Sequence, residues 1–206
     1  MDSRLAIRMD ARDMLPEVIH LYEELIDSGR ATPDVFINLA HIYWQAVTDQ
    51  DFTAWHGLND EFVASAFEMD FQTLRRGMLD WPDNPEIRFW WDYFAGCCGS
   101  FSHAAPMSCR KARRFIEHPE GNNVPLICCL SGTLSDSDRD SIVELYQVCN
   151  KTRTQKNKFI LRMLEESKVA AELLAVVGKD SPRQDAAAGN PLPRLELSLR
   201  ASEFSR

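Results

Sequence analysis

T-P-D-V-F-I-N-L-A-H-I-Y-W-Q-A-V-T, running from Thr32 to Thr48, is the stretch that decides the fold. Thr32 is a capping residue type, and Pro33 falls at the first helical position, where a missing N–H is harmless. Val35, Phe36, Leu39, Ala40 and Tyr43 recur at steps of three and four and make an apolar stripe. Asp34, Asn38, His41 and Gln45 lie off that stripe. A helix with one packed side and one polar, aromatic-flanked side suits an array of helical hairpins that holds a ligand.

Working outward, Leu15 to Ser28 carries Val18, Ile19, Tyr22, Leu25 and Ile26 on one side, and Gly29 stands where a helix ends in a left-handed residue. The short loop that follows predicts antiparallel packing of this helix against the next. Residues 1–12 read as a loose lead-in or a short helix. Asp49 to Gly57 reads as a loop with Phe52 and Trp55 tucked inward. Asn59 or Asp60 caps a long helix with Phe62, Val63, Ala66, Phe67, Phe71, Leu74 and Met78 as its apolar positions. Two prolines in Trp81 to Glu86 break it, and Asn84-Pro85 opens another helix through Ile87, Trp90, Trp91, Phe94 and Cys98.

Farther on, helix is expected through Met107 to Ile116 and, from context, over Val124 to Leu130. From Arg139 the stripe Ile142, Leu145, Tyr146, Cys149 predicts helix; the pattern lapses over Asn150 to Lys158 and resumes from Phe159 to Val177. Two helices, or one long helix with an exposed middle, fit equally. From Gly178 the composition turns to Pro, Gly and small polar residues, as in a disordered tail. Its end, Leu195 to Leu199, alternates like a strand. The expected organisation is an all-α domain over 13–177 and a disordered tail over 178–206.

The 206 residues are enough for one well-buried domain. A net charge of −8 argues against general binding to a nucleic acid backbone and is compatible with a basic protein or peptide partner. No apolar run approaches the roughly 18–20 residues of a membrane span. The charged N-terminus lacks the apolar core of a signal peptide. Cys97-Cys98 and Cys128-Cys129 are adjacent pairs within apolar stretches and read as buried thiols, so the expected setting is reduced and cytoplasmic.

Phe36, Leu39, Ala40 and Tyr43 (large, leucine, small, aromatic) resemble a tetratricopeptide repeat, and the pair from Asn84 to Phe115 is similar in plan. The resemblance implies an array of antiparallel hairpins, with an irregular bundle as the other arrangement. It also implies that the first helix of each pair lines a concave, partner-binding face. The residues so placed are Ile37, Asn38, His41 and Gln45, with Arg88, Trp91 and Asp92 on the matching helix. Asn38 stands where such repeats commonly hold a bound peptide's backbone.

Catalytic signatures are incomplete. Glu17-x-x-His20 is half of a bundle di-iron motif and has no second copy. Cys97, Cys98, His103 and Cys109 lack the C-x-x-C spacing of a zinc site. No cofactor, metal or catalytic residue is predicted. The cluster Arg110, Lys111, Arg113, Arg114 suits a helix C-terminus. The expected function is therefore an intracellular helical protein-binding module, an adaptor or an inhibitor of another protein. The alternative is an enzyme built from dispersed residues or a single metal.

Overall fold

The computed structural model describes residues 2–97 and 136–166, and the expectations for 98–135 and for the tail lie outside them. The protein is all-α: the described residues form eight helices and no strand. These are α1 (Ser3–Asp10), α2 (Leu15–Asp27), α3 (Pro33–Thr48), α4 (Gln50–His56), α5 (Asp60–Asp80), α6 (Pro85–Cys97), α7 (Asp136–Lys151) and α8 (Gln155–Glu166). No helix among the described residues is long and apolar enough to cross a membrane.

Local chemistry sets most boundaries. Asn59 Oδ1 accepts from Phe62 N at 2.8 Å, and Asn84 Oδ1 accepts from Ile87 N at 3.0 Å, so each asparagine caps the helix it precedes. Gly29 and Gly57 close α2 and α4 with φ of +66° and +65°. Thr32 precedes α3 without a side-chain cap bond. Asp49 ends α3 and caps α4 at Phe52 N, which turns the expected loop into a seven-residue helix. Phe52 is buried as expected, whereas Trp55 is 81% exposed rather than tucked inward. The lead-in is the short helix, with Ala6 and Asp10 fully buried. The C-terminal stripe is two helices, broken at Thr152–Thr154.

Helix α3 is the spine, packing against α1, α2, α4, α5, α6 and α8. Val35, Phe36, Leu39, Ile42, Tyr43 and Ala46 join a core built with α1, α2 and α4. Ile37, Ala40 and Trp44 point into a second core built with α6, α7 and α8, where Trp90, Phe94, Leu145, Phe159 and Leu164 are buried. A helix apolar on nearly all sides belongs in an interior.

Helix α5 crosses α3 closely through small and polar residues. Ala66, Asp70, Thr73, Leu74 and Gly77 are its buried positions, while Phe67, read from sequence as inward, is exposed. A Cβ added at Gly77 would stand 3.0 Å from Phe36 Cγ, 3.1 Å from Phe36 Cβ and 3.3 Å from Ile87 Cδ1. Phe36 is itself fully buried. Gly77→Ala gains up to about 1 kcal/mol of helix propensity against an overpacking cost of about 1–3 kcal/mol. The expected net loss of roughly 1 kcal/mol is read by denaturant melts; an Ala variant more stable than its parent would show that the crossing relaxes freely.

Asp70 lies in that crossing, and no side chain among the described residues hydrogen-bonds its carboxylate oxygens. Burial raises its carboxyl from 3.8 to about 7, against the opposing pull of the Phe71 N–H. Below the unfolded value the group is protonated folded or unfolded, and its contribution is whole. As pH rises toward 7 the unfolded chain releases the proton first, so stability falls and then levels off. Asp70→Asn, neutral at every pH, should melt close to its parent near about pH 4 and clearly above it at about pH 8. Parallel pH-dependent curves for the two proteins would refute the assignment.

Candidate functional site

The start of α8 gathers polar groups from distant parts of the chain. Thr154 Oγ1 accepts from Asn157 N at 3.3 Å, which caps the helix. Asp10 Oδ1 accepts from Gln155 N at 2.8 Å, adding a carboxyl to the same N-terminus, and Asp10 Oδ2 accepts from Tyr22 Oη at 2.9 Å. Burial raises Asp10 to about 7 despite these bonds. Asp13, at φ 61°, accepts from Gln155 Nε2 at 2.6 Å and pairs with Lys158. Gln45 Nε2 donates to the Gln155 carbonyl at 3.2 Å. The turn between α1 and α2 and the middle of α3 thus hold α8 by its first turn.

Beside that turn is a cleft of about 360 Å³, lined by Asp34, Asn38, Glu86, Cys149 and Lys156 and walled by Ile7, Leu145, Val148 and Ile160. Lys156 is nearly buried; its Nζ lies 2.9 Å from Glu86 Oε1 and 3.5 Å from Asp34 Oδ1. Burial alone would favour a neutral amine, but the two carboxylates outweigh it and hold the ammonium above the ordinary lysine range. Burial pushes the Cys149 thiol up to about 11, and its Sγ lies 3.6 Å from Asn157 Oδ1. Neither group is a nucleophile at neutral pH. Asn38 is 1% exposed, and its Oδ1 has no hydrogen-bond partner among the described residues.

The residues expected to share one concave face separate. Ile37, Asn38, His41 and Gln45 do face one way, but that side of α3 is covered by α6 and α8 rather than open. Only Asn38 lines the cleft. His41 is completely buried with both ring nitrogens unpartnered, its ring edge-on to Trp90 at 4.2 Å and Phe94 at 5.0 Å. Burial, with the Lys156 charge adding to it, keeps this imidazole neutral, well below its usual range. Gln45 lines a separate groove of about 320 Å³ with Phe52, Trp55, Lys158 and Arg162. Trp91 is half-buried beside Phe67, Phe71 and Arg75. Arg88 is exposed and Asp92 half-buried, and neither borders the cleft. Asn38 and His41, expected on an open partner-binding face, are both interior, and aromatic residues of α6 and α8 pack over His41.

Sequence reasoning missed Lys156, Asn157 and Thr154, which fall where the apolar stripe lapses. Thr154 is a residue type favoured at N-caps, and it marks the helix start. Glu17 and His20 are both on the surface of α2, where His20 instead lies 3.4 Å from Glu24. No group of three or more metal-ligating side chains occurs among the described residues. The imagined set around His103 lies outside them.

His41→Ala should open a cavity inside the aromatic cage and cost about 2–4 kcal/mol. His41→Leu keeps the volume and removes an unpaired N–H, so it should stay within about 1 kcal/mol of the parent or exceed it. Thermal melts of the pair decide it; an Ala variant that melts with the parent would mean this face is not packed.

Comparison with protein-family models, curated proteins and solved structures finds no match for this chain.

Proposed function

We propose that the chain is a helical protein-binding module, acting inside the cell as an adaptor or as a blocker of another protein. Its recognition point is the cleft between α3, α6, α7 and α8. The observation that carries this reading is Asn38: a buried acceptor without a donor, in the wall of an open cleft. A buried polar atom left unpaired costs about 1–3 kcal/mol, which a partner's N–H would recover on binding. The acidic chain and the half-exposed Asp34 at the cleft favour a basic partner. The repeat-like reading of α2–α3 and α5–α6 as stacked hairpins belongs to the same proposal.

The enzyme reading is weaker for a stated reason. The cleft's two potential nucleophiles are held protonated, and the carboxyl of Asp10 is sealed from solvent by Tyr22 and Gln155.

A photo-crosslinking residue at Val148, exposed on the cleft rim, tests the proposal in cells. A discrete protein adduct is expected, and it should vanish when Asp34→Lys is added, read at a temperature where that variant, weakened beside Lys156, is still folded. Absence of any adduct, or an adduct indifferent to Asp34→Lys, would remove this cleft as the docking point.

A further inference from the structure

We infer that the cleft takes an arginine side chain of the partner, an inference that rests on the binding reading above and specifies its chemistry. Asp34 and Asn38 lie one helical turn apart on α3, so their side chains share a face at the cleft. Both are acceptors. Lys156 makes its shorter contact with Glu86, at 2.9 Å, and reaches Asp34 only at 3.5 Å. Asp34 is thus left more than half exposed, at 56%, with capacity for a second donor. Asn38 lines the same wall, and its Oδ1 is buried and unpartnered, so it must turn outward to meet a donor.

A group that satisfies both must carry several N–H donors, a positive charge and a flat shape. Guanidinium has five donors in a rigid fork and can meet the carboxylate and the amide oxygen together; an ammonium is a compact point charge that serves one acceptor best. The rest of the cleft suits the stem. Ile7, Leu145 and Ile160 offer apolar wall to three methylenes, and about 360 Å³ accommodates one side chain with its flanking backbone.

The test uses the full chain and three capped tripeptides, Ala-Arg-Ala, Ala-Lys-Ala and Ala-citrulline-Ala, titrated by calorimetry. Citrulline keeps the shape of arginine and removes its charge. The arginine peptide should bind with a Kd in about the millimolar range and roughly 10-fold more tightly than either relative. Asp34→Asn should weaken it by a similar factor at a temperature where the variant, which also loses a charge partner of Lys156, is still folded, and raised salt should weaken it further. Asn38→Leu, of similar volume, should also weaken it; should that variant fail to fold, Asp34→Asn alone still decides. Equal binding of arginine and citrulline peptides, undiminished binding by Asp34→Asn, or no saturable binding would overturn the inference. An adduct at Val148 that persists alongside any of those results leaves the docking reading standing and removes only the arginine. Arginine binding without any cellular adduct does the opposite.

Discussion

Helix α3 has almost no solvent face, and the remaining architecture answers that constraint. One side is taken by α1, α2 and α4, the other by α6 and α8, and α5 crosses close enough that a methyl group at Gly77 would press on Phe36 and Ile87. Asn38, His41 and Gln45, in the middle of α3, are consequently interior side chains, while Asp34 at its start stays exposed. Tyr43 reaches Glu23 at 2.6 Å and Gln45 reaches the Gln155 carbonyl. His41 and Asn38 keep unpaired atoms, each a local loss that the aromatic packing of Trp44, Trp90, Phe94 and Phe159 must exceed. Trp44 and Phe94 stack at 5.1 Å, and Trp90 lies 5.7 Å from Phe94, so the second core is dense in ring contacts.

The fold class was legible because apolar residues at steps of three and four are a direct imprint of helix geometry. Breaks were legible where the chemistry is local: Asn84 before Pro85, Asn59 before α5, Gly29 after α2. What one sequence does not encode locally is whether a second face of a helix is also covered. Asn38, His41 and Gln45 are polar, and polar residues at helical spacing look alike on a wet surface and in a seam between packed helices. The same limit explains α5. Of the apolar positions read from sequence, Ala66 and Leu74 are buried and Phe67 is exposed, while Asp70, Thr73 and Gly77, small or polar residues outside that stripe, complete the close contact. Bulk predicts burial only when the helices stand far enough apart to admit it.

The cleft was partly legible for a related reason. Asn38 was singled out, and it is there; Asp34 was recognised only as a residue off the stripe. Lys156 and Glu86, 70 residues apart in sequence, meet only in the folded chain. Gln155 to Lys158 looked like a failure of helical pattern, whereas these residues begin α8, and three of the four are buried among hydrogen-bonding partners. Polar residues at a buried helix start disrupt periodicity because they serve capping and pairing rather than apolar packing.

That double use ties the cleft to the stability of the fold. Lys156 lines the cleft and also holds the first turn of α8 between α3 and α6, so a cation arriving beside Asp34 meets an electrostatic arrangement that already fixes a helix. A buried lysine cannot lose a carboxylate partner cheaply, since an uncompensated buried charge costs about 3–5 kcal/mol. The ligand must therefore share Asp34 with Lys156 instead of capturing it, and the 3.5 Å separation leaves room for sharing. A guest that donates to both Asp34 and Asn38 adds contacts at the point where α8 meets α3. Such binding stabilises the folded chain by mass action, and its strength is limited by how well Lys156 keeps Glu86 while Asp34 turns toward the guest.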